Sequence, residues 1–165
     1  MPERNDLIRM GLQIPLFTYP DVPDDELFER VALIATTAEA SGFDSVWVMD
    51  HFYQLPGLGR PSEPMFEAYS LLTALAARTH TVRLGAMVGG MTYRNPAFLA
   101  KTVTGLDVIS QGRAIWGIGA GWFELEHQQY GYEFGTFTDR FEKPEEGQQI
   151  AKSMGVNDTT TPPLN

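Results

Sequence analysis

Asp50 and His51 stand side by side at the end of the apolar run Ser45-Val46-Trp47-Val48-Met49. A carboxylate there can accept a hydrogen bond from a ligand, and an imidazole titrates near neutrality and can shuttle a proton. The structural alternative is a loop Asp capping local N–H groups beside a hydrogen-bonded His. The location favours chemistry, because a buried parallel strand delivers its last side chains to the carboxyl edge of a sheet, where α/β proteins bind ligands. Phe52 and Tyr53 follow at once.

Two further strand ends carry comparable signals. Gly117-Ile118-Gly119-Ala120-Gly121-Trp122 runs from a strand toward a helix, and glycines there either let a planar or phosphorylated ligand approach the backbone or simply form a tight βα turn. Trp122 occupies the place of the third glycine of a dinucleotide fingerprint, and no Gly-Lys-Ser/Thr follows, so neither that motif nor a P-loop is present. Ala86-Met87-Val88-Gly89-Gly90 closes another strand; paired glycines suggest a bulge beside a ligand, or else an ordinary turn. Other candidates fall away. His51, His80 and His127 lack metal-ligand spacing, and no G-x-S-x-G elbow occurs. Glu124, Glu126 and His127 are expected on the solvated face of a short helix. Arg94 is expected to pair with a neighbouring carboxylate rather than to reach an anionic ligand.

The elements that must position these residues alternate in a βα rhythm. Strands are expected at 8–14, 45–49, 82–88 and 113–118. Helices are expected from Glu26 to about Gly42, over 65–78, from Asn95-Pro96 to Gln111-Gly112, and around 123–129. Leu27, Phe28, Val31, Ile34, Ala35 and Ala38 mark the buried face of the first helix. Leu99, Thr102, Val103, Leu106 and Ile109 mark that of the third. Asn95 is a natural N-cap with proline behind it, and Gly89-Gly90 breaks the third strand. A last helix near 142–154 looks weak: Pro144 costs about 3 kcal/mol in a helix interior unless the helix starts near Lys143, and Gly147 about 1 kcal/mol more. Residues 155–165 have the composition of a disordered tail, which leaves residues 1–154 as one domain. Four βα units predict a parallel α/β sheet, either open or half of an eight-stranded barrel.

Composition narrows the function. The 165 residues carry a net charge of -9 with no basic cluster, which argues against nucleic acid. There is no cysteine, so disulfides, thiolate metal sites and a Cys nucleophile are excluded, in keeping with a cytoplasmic protein. The polar, acidic start is unlike a targeting peptide, and no apolar stretch could span a bilayer.

Together, SVWVMDHFYQLPGLG from Ser45, RLGAMVGGMTYRNPAFLAK from Arg83 and LDVISQGRAIWGIGAGWFELEH from Leu106 resemble the luciferase-like monooxygenase superfamily, nearest its coenzyme F420-dependent oxidoreductases. The resemblance runs from Gly11 to about Lys152. It implies the N-terminal half of a (β/α)8 TIM-like barrel, with F420, or alternatively FMN, lying across the carboxyl ends of the strands. It implies that Asp50 contacts the ring and that His51 gives or takes a proton. It places Ala86, Met87 and Val88 around a non-prolyl cis peptide behind the ring, and Gly119, Ala120, Gly121 and Trp122 along the pocket. The implied activity is hydride transfer between F420 and a small organic substrate, or alternatively FMN-dependent monooxygenation. Trp122 stands where the family's sugar-phosphate dehydrogenases carry Glu, so that activity is not expected. The chain holds four βα units where the family's barrels have eight. The expectation is therefore an impaired half-barrel, or a non-catalytic remnant, whose open edges pair in a homodimer.

Overall fold

A computed structural model describes residues 8–153; the tail expected at 155–165 lies outside the described residues. The main sheet is parallel, with β1 (Gly11–Ile14), β2 (Ser45–Val48), β3 (Arg83–Ala86) and β5 (Ala114–Ile115) in that spatial order. A second parallel pair joins β4 (Gly89–Gly90) to β6 (Ile118–Gly119). Spatial order follows chain order without reversal. Right-handed crossovers then put every connecting helix on the same face, as in a barrel and not in a doubly wound sheet. The architecture is α/β, a barrel-like arc of four βα units.

The helices are α1 (Leu27–Ala40), α2 (Ala68–Ala76), α3 (Pro96–Ser110), α4 (Glu124–Tyr130) and α5 (Phe137–Ser153). Val46, Val48, Leu84 and Ala86 point to one side of the sheet and meet Val31 and Ala35 of α1, Leu72 and Leu75 of α2, and Leu99, Val103 and Leu106 of α3 in one core. On the opposite side Trp47 lies across the strands. A Cβ on Gly11 or Gly85 would come within 2.8 Å of its ring. Those glycines make room for the indole, whose Nε1 donates to Ser45 Oγ at 2.9 Å.

Caps fix where the helices begin and end. Asn95 Oδ1 accepts from Ala97 N and Phe98 N, with Pro96 in the first turn. Gln111 and Gly112 then turn left-handed at φ 60° and 85° and stop α3. Gly42, also at φ 85°, follows α1.

Several expectations need correction. Ile8 is exposed outside β1, which starts at Gly11. The helix expected from Met65 starts at Ala68, because Glu67 leaves the helix and accepts from Tyr69 N and Ser70 N. The strands expected at 82–88 and 113–118 are each interrupted and re-form as β4 and β6. Gly89-Gly90 therefore does not break the sheet: Gly89 N donates to Gly117 O at 2.9 Å and Met91 N to Gly119 O at 3.0 Å. Ile109 is exposed, and Ala100 is buried on α3 in its stead. The last helix starts at Phe137, placing Pro144 in its interior. Its entry is a reciprocal cap in which Thr136 N donates to Asp139 Oδ2 and Asp139 N to Thr136 Oγ1. Gly147, counted as a cost from the sequence, is buried where any Cβ would strike the methyl of Met91.

Candidate active site

The carboxyl ends of β2 and β3 and the pair β4–β6 border a cavity of about 370 Å³. Asp50, His51, Met87, Val88, Gly119, Ala120, Gly121 and Trp122 all line it, so three separate stretches of sequence converge on one space. Ala86, the remaining expected site residue, does not line it. It is the last residue of β3, paired with Val48, and its methyl faces the core. The cavity also takes in Gly90, one of the paired glycines noted at the end of the third strand, and Tyr93, Phe137, Arg140 and Phe141, which sequence reasoning did not single out. The peptide between Met87 and Val88 is cis.

Glycine gives the floor its shape. A Cβ on Gly119 would run into the side chain of Val88 across the β4–β6 pair. Gly121 adopts φ 70°, where a side chain is strained, and packs against Thr92 and His127. The mouth is apolar, with Trp122, Phe137 and Phe141 all more than half exposed. Arg140 stacks its guanidinium 3.9 Å from the Phe134 ring centroid and donates to Gly135 O; its buried Nε has no hydrogen-bond partner among the described residues.

Asp50 is buried and strongly held. Its Oδ2 accepts from Gly90 N at 2.8 Å and Arg94 Nη1 at 2.6 Å, and its Oδ1 accepts from Arg94 Nη2 at 2.8 Å. Arg94 also reaches Glu67 at 2.7 Å and lies 4.9 Å from the Tyr69 ring centroid. Arg94 thus pairs with carboxylates, as expected, and one of them is the candidate site residue. Burial and the nearby Asp50 carboxylate push the Tyr69 hydroxyl well above the usual tyrosine value.

His51 is placed by a residue the sequence misassigned. Glu126 and His127 are fully buried, against the expectation of a solvated helix face. Glu126 Oε2 lies 2.9 Å from His51 Nδ1 and accepts from Tyr93 Oη at 2.6 Å. Its Oε1 accepts from Phe52 N at 2.6 Å and Tyr53 N at 3.0 Å. Burial alone would raise the Glu126 carboxyl. The hydrogen bonds from His51, Tyr93 and the two amides outweigh it and hold the group below its ordinary value, ionised. Burial and the bond to Glu126 push Tyr93 far up in turn. His127 is structural: its Nδ1 lies 3.0 Å from Phe123 O and its Nε2 2.8 Å from Thr92 Oγ1. Among the described residues no cluster of acidic and imidazole groups could hold a metal ion, and no helix is long and apolar enough to cross a membrane.

An acid, an imidazole and a glycine-floored slot at a strand-end edge can hold a flat ring and move a proton beside it. The sequence profile of luciferase-like monooxygenases matches residues 10–143. A 5,10-methylenetetrahydromethanopterin reductase of Methanolobus tindarius is 38% identical over 100 residues, covering 61% of this chain and 27% of that protein. An F420-dependent glucose-6-phosphate dehydrogenase of Amycolatopsis mediterranei is 34% identical over 125 residues, 75% of this chain and 37% of the relative. A solved F420-dependent secondary alcohol dehydrogenase, in complex with an F420-acetone adduct, superposes with a TM-score of 0.72 at 25% identity, covering 91% of this chain and 42% of its own. The chain thus spans well under half the length of these proteins, and over that span it belongs to the luciferase-like monooxygenase family.

Proposed function

We infer that the cavity receives the ring system of coenzyme F420 and that the chain takes part in hydride transfer between this deazaflavin and a small organic substrate. The observation that carries the reading is the convergence of Asp50-His51, Met87-Val88 and Gly119–Trp122 on one space, with His51 hydrogen-bonded through Nδ1 alone among the described residues. The residues fit such a group. Gly90 and Gly119 keep the floor flat, Val88 and Met87 offer an apolar backing, and Trp122 stands at the mouth.

When bound, the deazaflavin supplies a carbon that accepts or gives a hydride. The chain's own part is the matching proton. His51 Nε2 can take a hydroxyl proton from an alcohol as it becomes a carbonyl, or return it in the reverse direction. Asp50, neutralised by Arg94, keeps the ring edge polar without adding a free charge. Trp122, Phe137 and Phe141 favour a substrate with an apolar body, and Trp122 offers no carboxylate for the chemistry of a sugar phosphate.

Titration with oxidised F420 tests the reading. Fluorescence quenching at micromolar protein is expected, retained in His51→Asn while turnover of secondary alcohols drops by about 100-fold or more. No quenching at tens of micromolar defeats it. A homodimer closing on the outer strands β1 and β5 is a separate proposal, which a monomeric sedimentation profile would remove without touching the cavity.

A further inference from the structure

We propose that Glu126 is a positioning residue that fixes the tautomer of His51, so that the neutral ring carries its proton on Nδ1 and presents Nε2 to the cavity as an acceptor. The proposal deepens the reading above, and its proton-acceptor role rests on that reading; the tautomer itself does not.

The argument is a count of donors and acceptors. Four groups converge on the Glu126 carboxylate: Phe52 N, Tyr53 N, Tyr93 Oη and His51 Nδ1. An ionised carboxylate only accepts, so each of the four must donate. His51 can meet that requirement at Nδ1 only with the proton there. A neutral imidazole has one N–H, so Nε2 is left with its lone pair. Nε2 has no hydrogen-bond partner among the described residues, and His51 lines the cavity.

The same count predicts an inversion in Glu126→Gln, a variant of nearly identical shape. Main-chain N–H groups cannot reverse their polarity. The glutamine oxygen is therefore held at the Phe52 and Tyr53 amides, and its NH₂ takes the place of Oε2. That NH₂ now donates toward Tyr93, whose hydroxyl can turn to accept, and toward His51 Nδ1, which must give up its proton. The proton moves to Nε2, and the cavity-facing nitrogen changes from acceptor to donor. The opposite amide orientation would set NH₂ against two N–H donors in a fully buried place.

The deciding experiment is imidazole ¹⁵N NMR on the cofactor-free chain, followed upward from about pH 6 until the His51 ring is neutral. His51→Gln assigns the signals by their loss. His127 is an internal standard: Phe123 O can only accept from its Nδ1, so it keeps the Nδ1–H form in every variant. Wild type should show a protonated Nδ1 and a bare Nε2 at His51, and Glu126→Gln the reverse. Tyr93→Phe removes one donor without touching the imidazole and should retain the wild-type pattern. A bare Nδ1 in wild type or in Tyr93→Phe overturns the proposal, and so does a folded Glu126→Gln that keeps Nδ1–H. If Glu126→Gln does not fold, wild type and Tyr93→Phe decide alone. Where turnover is measurable, Glu126→Gln should lower kcat by about 100-fold with KM changed less than about threefold. An inverted tautomer with unchanged kcat would leave the positioning standing and refute a proton-transfer role for His51.

Discussion

Asp50→Asn keeps the shape of the side chain while removing a charge that a buried guanidinium depends on. The carboxylate is 1% exposed and Arg94 11%, so solvent does little to screen the pair. It accepts three hydrogen bonds at 2.6–2.8 Å, one of them from Gly90 N. Breaking one partner of a buried ion pair costs about 3–5 kcal/mol. Arg94 keeps Glu67, which is 39% exposed and linked to it at 2.7 Å, so Asp50→Asn belongs at the low end, about 3 kcal/mol. Arg94→Met strands the Asp50 carboxylate with a single amide donor, which puts it near the top of the range, about 5 kcal/mol. The double variant removes both charges together and should cost less than the two single changes combined, by about 2 kcal/mol or more. Urea unfolding of the four proteins, followed by tryptophan fluorescence at two salt concentrations, measures that coupling. Additivity within about 0.5 kcal/mol, or a coupling that vanishes at high salt, would refute the placement of the pair in a dry site.

Two other perturbations follow from single residues. Glu39 accepts from the backbone N–H of His80, Thr81 and Val82 and from the Thr81 hydroxyl; burial opposes ionisation, but these donors lower its value from 4.5 to about 2. Its contribution is therefore whole above the ordinary carboxyl value and is lost as the pH falls toward 2. With solvent screening at this half-exposed site the stability gap to Glu39→Gln should be about 1–2 kcal/mol at neutral pH and shrink below about pH 4; a gap independent of pH is the contrary result. Gly119→Ala places a methyl against Val88 inside the slot, so F420 affinity measured by quenching should fall more than about tenfold with the circular dichroism of the fold intact; unchanged affinity would place the ring elsewhere.

What the sequence reveals and what it hides differ by range of interaction. Asp50-His51 stands out because the preceding apolar run is local and ends abruptly. The Asn95-Pro96 helix start is equally local, a cap and a ring-locked φ in adjacent positions. Glu126 is hidden for the opposite reason. It sits in a seven-residue helix among other polar residues, and its partners lie 33 to 75 positions away, two of them main-chain amides that no side-chain pattern encodes. Gly89-Gly90 reads as a breaker because glycine has weak strand propensity. Its pairing with Ile118-Gly119 depends on a close backbone approach that only the assembled sheet creates. The start of α5 was available in the Thr136-x-x-Asp139 cap, but Pro144 and Gly147 draw the eye to a later and weaker helix. Gly147 makes sense only once Met91, 56 residues earlier, is seen against it.

Amide chemical-shift mapping with F420 is the sharpest check on the whole reading. On addition of the cofactor to the uniformly labelled chain, the largest shifts should fall together on residues 50–53, 87–90 and 119–122. Saturable shifts confined to another face of the molecule, or none at millimolar cofactor, would contradict it.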